Sequence, residues 1–202
     1  MLRPRLIVSL LLQNGGLVKS HQFSDFKYVG DPLNAVKIFS DKQVDELSIV
    51  DIAASLHKSE PDYELIGKLA AQSRMPLTYG GGIKNLNQIE KIINLGVEKV
   101  SISSALFTTP NLIIDAINKF GSQSLVAVVD IKRTGILRNN FNVFTHGGTK
   151  KIKGSIVEHV AAIENLGVGE IVINSIDRDG TMAGYDHDLI RKIRDTIKVP
   201  LT

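Results

Sequence analysis

The stretch Leu125-Val126-Ala127-Val128-Val129-Asp130-Ile131-Lys132-Arg133 decides how the rest of the chain is read. Five apolar residues, three of them valine, run without a break into an acid, two bases and then Thr134-Gly135. A parallel strand buried on both faces has this pattern, with polar residues only where it leaves the sheet. In α/β proteins that exit is where chemistry is placed. Asp130 is therefore the first catalytic candidate.

Working outward, strands and helices alternate along the whole chain. A first strand is expected at 6–12, followed by a polar stretch. Asp31-Pro32 then supplies an N-cap and a first-turn proline for a helix running to about Lys42, with Ala35, Val36 and Phe39 on its apolar side. A second strand covers 46–51, and Glu60-Pro61 opens a helix carrying Leu65, Ile66, Leu69 and Ala70. A short strand at 76–79 runs into Gly80-Gly81-Gly82. Asn85 with Gln88 forms a capping-box pattern for a helix that stops at Gly96. A fourth strand follows at 98–103, and Thr109-Pro110 caps a helix ending at Gly121. Residues 134–149 read as a long loop containing a hairpin at 141–144. A helix at about 155–166, a strand at 170–174, a helix beginning at Asp186 and the start of a seventh strand at 199–202 complete the pattern. Such alternation means βαβ units and a parallel sheet. The expected fold is a (β/α)8 TIM barrel, for which ~250 residues are typical. An open doubly wound sheet is the runner-up. The chain reads as one barrel domain over residues 1–202, C-terminally incomplete, ending as strand seven begins.

Composition sets bounds on function. The 202 residues can bury one sizeable core, and 43% hydrophobic with 22% charged residues is ordinary for a globular protein. A net charge of +3 without a basic run, and 5% aromatics with no Trp, argue against nucleic-acid partners. The absence of Cys excludes disulfides, thiol nucleophiles and Cys–zinc sites, and fits a cytoplasmic location. Arg3 and Arg5 before the apolar run 6–12 could mimic a signal peptide. The run is short, however, and Gln13-Asn14-Gly15-Gly16 offers no cleavage pattern, so a buried strand is the expectation. No stretch approaches the ~18 apolar residues of a membrane span.

An internal repeat is visible. Val44-Asp-Glu46-Leu-Ser-Ile-Val resembles Val168-Gly-Glu170-Ile-Val-Ile-Asn, and Met75-Pro-Leu-Thr resembles Val199-Pro-Leu-Thr; both pairs are 124 residues apart. The shared offset suggests two homologous half-barrels. The repeat also sets Asp130 against the end of strand one; matching the apolar runs gives Leu11, 119 residues earlier, with the longer loop after strand five making up the difference.

Several groups carry candidate chemistry. Gly80-Gly81-Gly82, between a strand and a capped helix, suits a phosphate cradle, with a tight turn as the plainer alternative. Asp177-Arg-Asp179-Gly180-Thr181 lacks the third acid of a calcium loop. A second anion or polar-ligand loop fits it better, with an Asx turn as the alternative. Thr145-His146-Gly147-Gly148 ends the long loop, and neither His146 nor His21, His57, His159 or His187 has metal spacing. No metal or cofactor is expected. Arg5, Glu46, Lys99 and Glu170 stand at strand starts, where alternating charges would close the bottom of a barrel.

Taken together these motifs resemble a family. From Arg5 to Thr202 the chain resembles the cyclase subunit of imidazole glycerol phosphate synthase, the HisF family, as a divergent HisF-like paralogue. The marks are Gly15–Lys19, Gly-Asp-Pro at 30–32, Asp45-Glu46-Leu47, Pro-Leu-Thr-Tyr-Gly-Gly-Gly-Ile at 76–83, Lys99-Val-Ser-Ile, Phe-Gly-Ser-Gln at 120–123, Asp130-Ile-Lys-Arg133, Thr145-His-Gly-Gly148 and Asp177-Arg-Asp-Gly-Thr181. The resemblance implies a lyase of histidine biosynthesis. Ammonia from a glutaminase subunit (HisH-like) docked at the N-terminal barrel face adds to a bisphosphorylated aminoimidazole carboxamide ribonucleotide. Cyclisation and cleavage then release imidazole glycerol phosphate and a carboxamide ribonucleotide. It makes Asp130 catalytic, with Lys19 on a loop over the site. One substrate phosphate falls to Gly81, Gly82, Ser103 and Ser104, and part of the other to Asp179, Gly180 and Thr181. Arg5, Glu46, Lys99 and Glu170 become an ammonia gate, and Glu98 lies at the partner interface.

The departures are as informative. The family's reaction uses two opposed carboxylates for proton transfer, and the second position holds Leu11. Ser103 stands where the family usually has Asn. Three readings follow: a cyclase with altered catalytic residues, a paralogue that partners an amidotransferase to channel ammonia for surface-sugar amidation, and a non-catalytic scaffold that activates a glutaminase.

Overall fold

The structure, a computed structural model of the chain, describes residues 4–57, 59–135 and 140–202. It divides into two compact units, Met1–Lys19 with Lys27–Ser101, and Ser20–Phe26 with Ile102–Thr202. Both are α/β, with strands joined by helices and pairing in parallel as the alternation predicts.

In the first unit β1 (Ile7–Gln13) is followed by a hairpin, β2 (Gly16–His21) and β3 (Ser24–Gly30), whose tip belongs to the second unit. This corrects the expected polar stretch. β2 pairs antiparallel with β1, Leu11 against Val18, and Leu17 and Val18 are buried. The chain then runs through α1 (Pro32–Asp41), β4 (Glu46–Asp51), α2 (Ile52–His57), α3 (Tyr63–Gln72), β5 (Leu77–Gly80), α4 (Leu86–Asn94) and β6 (Lys99–Ile102). β1, β4, β5 and β6 form a parallel ladder in chain order. Leu47, Ile49, Leu77, Tyr79 and Val100 fill its buried face, against Val36, Ile66, Leu69, Ile89 and Ile92 of the helices.

The helix starts show the local code at work. The Asp31 side chain accepts from Asn34 N with Pro32 in the first turn, and Asn85 and Gln88 form the expected reciprocal capping box. Glu60-Pro61 does not open α3. Asp62 does, its carboxylate accepting from Leu65 N at 3.0 Å.

The second unit contains α5 (Ala105–Thr108), α6 (Pro110–Phe120), β7 (Leu125–Thr134), β8 (Asn140–Thr145), β9 (Lys150–Lys151), α7 (Ile156–Asn165), β10 (Glu170–Ser175) and α8 (His187–Arg194). Thr109 precedes α6 but makes no side-chain cap bond. β7 pairs in parallel with β10 and antiparallel with β8. The expected loop at 134–149 is therefore largely a hairpin folded back on β7 itself; its residues 136–139 lie outside the described ones. Ser155 with Glu158 boxes α7, and Asp186 caps α8. Residues 200–202 lie beside β10, with Ile171 bridged in parallel to Leu201 and Ile173 N donating to Thr202 O at 2.8 Å.

Equivalent bonds recur 124 residues apart. Leu47 N donates to Pro76 O at 3.0 Å, and Ile171 N to Pro200 O at 3.0 Å. The Thr78 hydroxyl donates to Glu46 at 2.8 Å and the Thr202 hydroxyl to Glu170 at 2.6 Å. No described helix is long and apolar enough to cross a membrane.

Candidate functional site

Asp130 enters the ladder between β10 and β8, with Asn174 beside it in parallel register and Phe144 opposite. It is 7% exposed and stands between buried Val129 and Ile131 in the strand. Such a carboxylate is tolerated only with hydrogen-bond partners, and Asn174 Nδ2 donates to its Oδ1 at 2.9 Å. Burial pushes its carboxyl up from 3.8 to about 6, against side-chain hydrogen bonds from Asn174 and Ser103 that favour the charged form. A carboxyl tuned this way populates both protonation states near neutral pH and suits proton transfer.

The loop after β10 is used differently from a bare anion cradle. The Asp179 carboxylate accepts from the Ser20 hydroxyl at 2.6 Å and from Phe23 N at 3.1 Å, and its carbonyl accepts from Gln22 N at 3.0 Å. Gly180, at φ +67°, lies so close that a Cβ there would sit 2.2 Å from Ser20 O. This loop thus clasps the tip of the β2–β3 hairpin, the hairpin that carries exposed Lys19. Thr181 closes the turn, its hydroxyl donating to Arg178 O at 2.8 Å.

Behind the loop, Arg133 N donates to Asp177 at 2.6 Å, and the Arg133 guanidinium bonds both oxygens of buried Asp186. That pairing holds the Asp186 carboxyl below its ordinary range. Ser103 and Ser104 precede α5 half-buried, and the Ser104 hydroxyl accepts from His146 N at 3.4 Å, drawing the 145–148 turn to it.

In the first unit Gly81 and Gly82 lie between β5 and the capped start of α4. Gly81 has φ +118°, and a Cβ would sit 2.3 Å from Asp51 O. Asp51 in turn caps α2, its carboxylate accepting from Ala53 N and Ala54 N at 3.0 Å each. Gly81→Ala combines a left-handed backbone with a clash against main chain. The expected result is a loss of ~2–5 kcal/mol in urea unfolding. Leu11 is half-buried on β1, in parallel register with Val50.

At the strand starts, Glu46 is 4% exposed and gathers Lys99 Nζ at 2.7 Å, Arg5 at 3.0 Å and the Thr78 hydroxyl. Glu170 is also buried and holds Thr202. Glu98, next in sequence to Lys99, is exposed. Among the described residues no group of three or more His, Asp or Glu could hold a metal ion. Asn174, Asp51, Ser20 and the Arg133–Asp186 pair are the site features that the sequence reading missed.

A family model described as "Histidine biosynthesis protein" matches residues 5–202. The chain belongs to that family. Curated relatives of the histidine biosynthesis family agree over its whole length. One, named "Putative imidazole glycerol phosphate synthase subunit HisF", from Leptospira borgpetersenii, is 50% identical over 202 residues, covering 100% of this chain and 79% of that protein. A "hisF3" subunit of the same description from Vibrio vulnificus is 51% identical, covering 100% and 77%. A "hisF2" subunit from Pseudomonas aeruginosa is 48% identical over 201 residues, covering 100% and 79%.

Proposed function

We propose that this protein is a HisF-type synthase subunit that uses glutamine-derived ammonia on a phosphorylated substrate, with Asp130 as its proton-transfer carboxylate. The (β/α)8 barrel as a single domain is part of the proposal. The observation that carries it is the setting of Asp130: buried, bonded to Asn174, and raised to about 6. In the family's reaction a proton must leave the attacking nitrogen as the new C–N bond forms, and another must reach the leaving group as the substrate cleaves. Asp130 takes the first and returns the second.

Gly81, Gly82, Ser103 and Ser104 are proposed to hold one phosphate through main-chain N–H groups and hydroxyls, and Gly180 and Thr181 part of the other. Asp179, being an acceptor, serves by fixing the hairpin that bears Lys19. Arg5, Glu46, Lys99 and Glu170 are proposed as the ammonia gate. The buried charge of Glu46, with two cations on it, supports a role beyond a surface lid. Exposed Glu98 is proposed to face the glutaminase partner.

Leu11 beside Val50 favours a second reading, a paralogue that delivers ammonia to a different amidation. The test is ammonium-dependent turnover of the histidine-pathway ribonucleotide by the purified full-length protein. Slow, Asp130-dependent formation of imidazole glycerol phosphate is expected. No product, with glutaminase activation intact, would favour the second reading.

A further inference from the structure

We propose that Asn174 is the positioning residue for Asp130, and that the two form one unit of carboxylate and amide on neighbouring parallel strands. This rests on reading Asp130 as the proton-transfer group, and adds what makes it able to act. Asn174 is level with Asp130 in the β7–β10 register, so their side chains leave the sheet on the same face, and the amide donates at 2.9 Å. A carboxylate accepts only, so the amide nitrogen is the end that must face its charged form. Elsewhere around Asp130, β8 presents Phe144 and the turn before α5 presents Ser103. None of these groups is charged. Asn174 and Ser103 are thus the hydrogen bonds that oppose the desolvation of Asp130.

The repeat supplies an internal control. Leu11 on β1 pairs with Val50 on β4 at the position where Asp130 on β7 pairs with Asn174 on β10. Val50 and Asn174 are 124 residues apart, the offset of the repeat. Where the carboxylate is absent its amide neighbour is absent too, and both members are aliphatic.

The test is an NMR titration of the ¹³C-labelled Asp130 carboxyl in the full-length protein, its signal assigned by loss in Asp130→Asn. Wild type is expected to titrate near pH 6. Asn174→Leu removes the donor to the charged form, and the midpoint is expected to rise by about one pH unit or more. Asn174→Thr keeps a hydroxyl donor and is expected to fall between the two. A midpoint unchanged in both variants, or a loss of stability with the titration unmoved, would overturn the proposal. If Asn174→Leu does not fold, an unmoved midpoint in Asn174→Thr would suffice. The titration needs no turnover, so a moved midpoint in a protein that makes no product would uphold this role while ending the synthase reading.

Discussion

Asp130→Asn is expected to stabilise the protein above pH 7 while sharply lowering the proposed turnover. The folded carboxyl is raised from 3.8 to about 6, so between those values the folded state binds more protons than the unfolded one. Stability contributed by this group is therefore greatest at low pH, falls as pH rises from about 4 to about 6, and stays low above that. The gap corresponds to roughly 3 kcal/mol at most. An Asn side chain keeps the shape and still offers an oxygen to Asn174 Nδ2, and it carries no charge to bury. Urea unfolding at pH 8 should show a gain of about 1–3 kcal/mol, and the slope between pH 4 and 6 should flatten. Turnover should fall by ~10²–10⁴, the usual contribution of a positioned proton-transfer group. A variant less stable than wild type at pH 8 would mean that Asp130 is held by more than the structure provides.

The second large effect concerns the first half of the repeat. Leu11→Asp alone restores the missing acid but sets it beside Val50, which offers no hydrogen bond. Leu11→Asp with Val50→Asn reproduces the arrangement seen at Asp130 and Asn174. If the protein is a synthase slowed by one missing acid, the double variant should recover ~10²–10⁴ in rate. The single variant should recover roughly tenfold less, the usual worth of a hydrogen bond to a charged group. Equal rates in the two variants would show that the amide neighbour does not matter there.

Much of this fold was legible in the sequence because its signals are local and strong. The apolar run before Asp130, the Asp31-Pro32 start, the Asn85–Gln88 capping box and Asp186 all describe elements whose causes lie within four residues. The misses have physical reasons as well. The β2–β3 hairpin has a mostly exposed outer strand, Ser24–Gly30, so burial imposes no alternation on it. The helices at 52–57 and 105–108 are too short to show a helical period. Lys132 and Arg133 look like the end of a buried strand, yet β7 continues through them because β8 folds back and pairs with it. Asp62 lay next to Glu60-Pro61, and the proline drew the helix start two residues early.

The geometry of the candidate site was legible only in part. Asp130 could be found from its own strand, and Leu11 from the repeat. The strand-end position of Asn174 was visible, but only the register shows that it stands beside Asp130. The Asp177–Thr181 loop read as an anion site because glycine and threonine supply donors. Its acids proved to accept from the hairpin and from Arg133, long-range partners that no spacing in the sequence announces.

The most direct measurement is the rate at which the purified full-length protein, given ammonium and the bisphosphorylated aminoimidazole carboxamide ribonucleotide, forms imidazole glycerol phosphate, followed from pH 5 to 9. Slow turnover is predicted, rising through about pH 6 as Asp130 ionises and lost in Asp130→Asn. Turnover unaffected by Asp130→Asn would contradict the claim that this carboxylate carries the chemistry.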